Sequence, residues 1–130
     1  MRHSEVDRIT ISAFEVVGSS LCVASADGQK VYDRIARVLR ERRFAVVSFR
    51  NVSTLTSAFL NAAIGQLYGD FDTDTIRSRV KIEDMEPNDI ALLRRVVDTA
   101  KEYFKDPERF EQAVHDTIGN GDDGSESSFS

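Results

Sequence analysis

Apolar positions along the chain change their spacing several times, and each change marks a new element. In Arg8–Val17, β-branched and aromatic residues alternate in part, with Ile9, Ile11 and Ala13 on one side. Gly18-Ser19-Ser20 breaks this run and Leu21-Cys22-Val23-Ala24 resumes it, which predicts two short strands joined by a glycine turn. Cys22 then points inward, as a buried small hydrophobe. Ser25-Ala26-Asp27-Gly28 offers side-chain oxygens to first-turn amides. From Gln29 to Arg42, Val31, Ile35, Val38 and Leu39 recur at helical spacing opposite Lys30, Arg34, Arg37, Glu41 and Arg42, the pattern of a helix covering one side of a sheet. Arg40, Arg42 and Arg43 suit the negative end of that helix's dipole.

Phe44–Phe49 is a continuous apolar run, as expected of a central strand buried on both faces and flanked by right-handed crossovers to parallel neighbours. A hydroxyl-rich loop, Arg50–Ser57, leads to a second helix marked by Phe59, Leu60, Ala63, Ile64 and Leu67, with Gly69 placed as a left-handed cap. Between Ala58 and Leu67 only Asn61 and Gln66 are strongly polar, so this helix is either buried on more than one side or meets a partner. Asp70–Thr75 reads as a solvated acidic turn. Ile76, Val80 and Ile82 alternate with Arg77, Arg79 and Lys81, predicting a strand with one wet, basic face near a sheet edge. Pro87 opens a helix with the stripe Ile90, Leu93, Val97, Ala100 and Phe104. Asp106-Pro107 opens a last one, with Phe110, Ala113, Val114 and Ile118 inward. The predicted order is β-β-α-β-α-β-α-α, an α/β domain over 1–118 with a mixed sheet and helices along at least one face. Residues 119–130 read as a disordered acidic Gly/Ser tail.

Composition narrows the function classes. Charged residues are 30% and hydrophobic ones 41%, an ordinary globular balance. Lys+Arg of 17 against Asp+Glu of 22 gives a net charge of −5, so bulk attraction to nucleic acid is not expected. No apolar run approaches the roughly 20 residues of a membrane span, and the polar first residues predict no secretory leader. One cysteine excludes an internal disulfide and suits a reducing compartment, the cytoplasm. With two histidines beside it, a structural zinc site lacks ligands. The alternating aspartates Asp70, Asp72 and Asp74 fail the calcium-loop pattern, because Thr75 and Lys81 stand where glycine and glutamate belong.

Catalytic chemistry finds little support. His3 and His115 neighbour no serine or cysteine in a nucleophile motif, and Gly18-Ser19-Ser20 and Gly119-Asn120-Gly121 do not form a phosphate-binding loop. The feature above background is the hydroxyl cluster Ser53, Thr54, Thr56 and Ser57 between an apolar strand and an apolar helix. Two readings stay open: Ser53 or Thr54 caps the helix and the rest fill a turn, or free amides and partial positive charge receive a phosphate.

The strings Ala26-Asp27-Gly28-Gln29-Lys30-Val31-Tyr32, Val46–Val52 and, most densely, Thr56-Ser57-Ala58-Phe59-Leu60-Asn61-Ala62-Ala63-Ile64-Gly65-Gln66-Leu67-Tyr68-Gly69 resemble the bacterial STAS-like domains of unknown function. These are relatives of the sulphate-transporter and anti-sigma-factor-antagonist (STAS) domain. The resemblance covers Leu21 to Leu93. It implies a mixed sheet with helices on one side and no active site. It further implies docking on a GHKL-type (histidine-kinase-like) ATPase that serves as an anti-sigma factor. In classical members a serine starting the helix after the central strand is phosphorylated to abolish docking, and Ser57 matches it. Thr56 stands where the classical motif has aspartate, and Ala58-Phe59 follow. The extra helices after Asn88 suit the STAS-like relatives. The function expected is a non-catalytic regulatory module without cofactor. It would bind a protein partner through the loop and helix at 53–67, with Ser53, Thr54, Thr56, Ser57 and Phe59 as contacts and Ser57 as candidate phospho-acceptor. The alternative is a phosphate- or nucleotide-binding sensor using the same helix start.

Overall fold

A computed structural model describes residues 7–105. The predicted last helix and the acidic tail, and with them the boundary at 118, lie outside these residues. In chain order the elements are β1 (Arg8–Ser12), α1 (Ala13–Val17), β2 (Leu21–Cys22), α2 (Ser25–Arg40), β3 (Phe44–Ser48) and β4 (Thr54–Leu55). Then follow α3 (Ser57–Leu60), a π-helical stretch Asn61–Gly65, α4 (Leu67–Asp70), α5 (Thr73–Arg79), β5 (Val80–Glu83) and α6 (Pro87–Lys105).

β3 is the centre of a three-stranded sheet ordered β1-β3-β5, and β2 pairs with β4 in a second ladder. Both ladders are parallel, with Ile11 opposite Val47, Val47 opposite Ile82, and Leu21 opposite Thr54. The sheet is therefore not mixed among the described residues, and the predicted N-terminal hairpin does not form. Its cause is local. The Ser12 hydroxyl accepts from the Glu15 amide (3.1 Å) and Gly18, at φ +81°, closes one short helix, so the chain leaves β1 through α1 instead of turning back. β2 thus lands beside β4.

Alternation across the sheet explains the core. Ile11, Ala45 and Val47 are buried against Val31, Ile35 and Leu39 of α2, while Thr10, Val46 and Lys81 occupy the other side of the same three strands. Val46 is buried as well, but its partners Thr10 and Lys81 on that face are exposed, so β3 is covered fully on the α2 side alone. The segment predicted as a strand from Ile76 to Ile82 is divided. The Asp72 carboxylate accepts from the Thr75 amide (2.7 Å) and starts α5, so Ile76 enters the core from a helix and only Val80–Glu83 is extended. The acidic turn is thereby a helix start. Arg79 leaves the expected wet face and stacks over the Phe44 ring at 5.1 Å. No described helix is long and apolar enough to cross a membrane.

The apolar helix is buried on more than one side, the first of its two predicted alternatives. Phe59, Leu60, Ala63 and Leu67 are fully buried, with α2 on one flank and α6 on another. Close approach to α2 depends on Gly28: a β-carbon there would lie 2.4 Å from the Phe59 carbonyl oxygen and 2.9 Å from Ala62 Cβ. Within the π-helical stretch the Gln66 amide bonds the Asn61 carbonyl (3.1 Å), and the Gln66 side chain donates to the Ala62 carbonyl at 2.7 Å. Gly69 is not a left-handed cap. It lies inside α4, against the Phe104 ring, where a β-carbon would fall 2.6 Å from Cε1.

Candidate functional site

The hydroxyl loop is built by the β2–β4 ladder. The Ser20 carbonyl accepts the Ser53 amide (2.8 Å) and the Thr54 amide (3.3 Å), and the Cys22 carbonyl accepts the Thr56 amide (3.3 Å). Of the hydroxyls, Thr56 is the most committed: it donates to the Val23 carbonyl (2.6 Å) and accepts from the Phe59 amide (3.2 Å), capping α3. Ser53 is exposed and bonds the Ser20 hydroxyl at 3.2 Å. Thr54 is exposed and Ser57 half-buried, and neither hydroxyl is hydrogen-bonded among the described residues. The cap is thus Thr56 and not Ser53 or Thr54, because the ladder with β2 keeps Thr54 extended; Ser53, Thr54 and Ser57 face outward or border solvent.

Phe59 does not belong to this surface. Its side chain is fully buried, because the turn that follows a capped start carries it under α2. It and the rest of the apolar helix support the loop from below, so the contact region predicted over 53–67 contracts to its first residues. In their place the structure adds Leu21 and Val23, which are 53% and 41% exposed on either side of the buried Cys22. The signal for them was the strict alternation Leu21-Cys22-Val23. Ala24, Ser25, Ala26 and Ala58 are exposed around them. Neither Gly18–Ala26 nor Asn51–Gly69 contains a charged residue, although almost a third of the chain is charged. The ladder brings the starts of these two stretches side by side, so the exposed Leu21 and Val23 lie among uncharged neighbours on both segments.

Cys22 lies beneath it and is chemically quiet. Burial, followed by the nearby charge of Asp27, pushes its thiol up to about 11. No group of three or more His, Cys, Asp or Glu side chains suited to a metal ion occurs among the described residues.

Residues 27–89 match the model of the family described as STAS-like domain of unknown function (DUF4325). This segment, just under half of the chain, is similar to STAS-like domains. The small parallel sheet with its helices is consistent with that fold, and the matched segment runs from the first turn of α2 to the first turn of α6. It includes the hydroxyl loop and the whole apolar helix but leaves out β2, with Leu21 and Val23. Neither the curated proteins nor the solved structures contain a match.

Proposed function

We propose that this STAS-like domain is a non-catalytic regulatory module that binds a protein partner through the uncharged surface of Leu21, Val23, Ser53, Thr54 and Ser57. The observation that carries the reading is the pair of exposed apolar side chains on the first of two paired segments, 18–26 and 51–58, that contain no charged residue. Depletion of charge around apolar anchors is the compositional mark of an interface core. The partner class suggested by the STAS resemblance is a GHKL-type ATPase in the cytoplasm, where a lone thiol stays reduced.

Ser57 is the switch in this reading. It occupies the first position of α3, so a phosphate there would rest near unpaired helix amides without harming the fold. The same phosphate adds about −1.5 to −2 charges to a contact surface that has none, which opposes docking of an apolar partner face. Thr56, which replaces the aspartate of the classical motif, acts as the cap that sets the position of Ser57. A resident phosphate or nucleotide at this helix start is the weaker reading. Thr56 already takes the Phe59 amide, and neither contributing stretch provides a lysine or arginine.

The test is co-purification from the native host with wild type, Leu21→Asp/Val23→Asp and Ser57→Glu. The reading expects an ATPase or regulator with the wild type and its loss with both variants, at unchanged melting temperature. Identical recoveries from all three would overturn it.

A further inference from the structure

A second feature lies away from this surface, between α5, β5 and α6. Two adjoining cavities of about 290 and 420 Å³ share Tyr68, Thr73 and Lys101 as lining residues. The inner one is walled by aliphatic side chains from four elements, among them Ile64, Ile76, Ile82 and Val97. The outer one opens past Lys101 and Lys105, one helical turn apart on α6. Arg77 reaches the inner cavity from α5. The lining thus changes from aliphatic to cationic over the length of the cleft. Two acidic groups accompany the cations: Glu102 at the mouth, and Asp74, which pairs with Arg77 at 3.5 Å. Lys101 Nζ lies 5.8 Å from the centre of the Tyr68 ring, so the cation is held at the junction of the two cavities.

We propose that this cleft binds a small amphiphile with an unbranched aliphatic body and a single carboxylate, its body in the inner cavity and its head between Lys101 and Lys105. Charge complementarity selects the head: two lysines face one glutamate at the mouth. The aliphatic wall selects the body, since the polar groups lining the inner cavity are Tyr68, Thr73 and Lys101 at the junction and the Arg77 guanidinium, which pairs with Asp74. A cleft of this size, mostly apolar with a few placed polar groups, is the usual form of a small-molecule site. This site is independent of the partner surface, and either can fail without the other.

The test uses the full chain with three probes: octanoate, octanol and inorganic phosphate. Calorimetry and amide chemical shifts report affinity and location. Saturable octanoate binding is expected, with shifts centred on Ile64, Ile82 and Val97. The pair Lys101→Gln/Lys105→Gln, both exposed, should weaken octanoate about tenfold and leave octanol unchanged. Leu93→Phe, which fills the inner cavity, should block both alkyl probes; if that variant does not fold, the lysine pair decides alone. Absence of saturable octanoate binding would overturn the proposal. So would equal affinity in the lysine variant, phosphate binding as tight as octanoate, or shifts centred on Leu21 and Val23.

Discussion

Single residues in the loop differ sharply in what they do, and substitution separates them. Phe59 is a core side chain, so Phe59→Ala should cost about 3–5 kcal/mol in urea unfolding. Ser53→Ala, at an exposed site, should stay within about 0.5 kcal/mol of wild type. Equal effects would mean that the division between support and surface is misplaced. Three buried or half-buried acids share one direction of shift. Burial raises the Cys22 thiol from 9.0 to about 11, and burial also raises Tyr32, which donates to Asp70, and Tyr68. Each holds its proton more tightly in the folded chain than in the unfolded one. The Cys22 contribution to stability is therefore complete below pH 9 and lost as pH rises toward 11, and that of the two tyrosines is complete below pH 10 and lost above it. Urea midpoints measured from pH 7 to 11 should be level and then decline. Alkylation of native Cys22 at neutral pH should be far slower than that of the unfolded chain.

At the scale of elements, the crossing of α2 over the apolar helix sets the position of the loop, and Gly28 permits it. In an exposed helix Gly→Ala gains up to about 1 kcal/mol. Here the added carbon would overlap backbone, so Gly28→Ala should instead destabilise by about 1–3 kcal/mol, read as a lower melting temperature. An increase would contradict the close crossing. The same contact shows what could be read from the chain. Helical spacing in Val31–Leu39 and the apolar run of β3 identified α2 and the central strand, because a buried face writes its period directly into the residues. The scarcity of polar side chains after Ala58 likewise identified a helix buried on several sides. Local hydrogen bonds did not show. Ser12 and Asp72 convert strand-like alternation into α1 and α5, since two apolar residues four apart suit either period and the cap decides. Gly28 looked like a starting signal because its neighbour across the crossing is 31 residues distant or more. The hydroxyls of the loop were legible as a cluster, whereas their union with Leu21 and Val23 depends on a non-local ladder.

For the whole molecule, the parallel sheet acts as a platform: β3 and the buried Phe49 that follows it hold the base from which the loop departs. Phe49→Asp puts a charge at a buried position and should abolish cooperative unfolding; a folded variant of near-normal melting temperature would refute this role. On this platform the exposed residues around Leu21, Val23 and Ser57 are the part proposed to recognise another protein. Hydrogen exchange of the purified chain, alone and with the partner recovered from the native host, examines this most directly. Slowed exchange should be confined to residues 20–24 and 53–58 and should disappear with Ser57→Glu. Slowed exchange confined to other segments, or persisting in full with Ser57→Glu, would contradict the account.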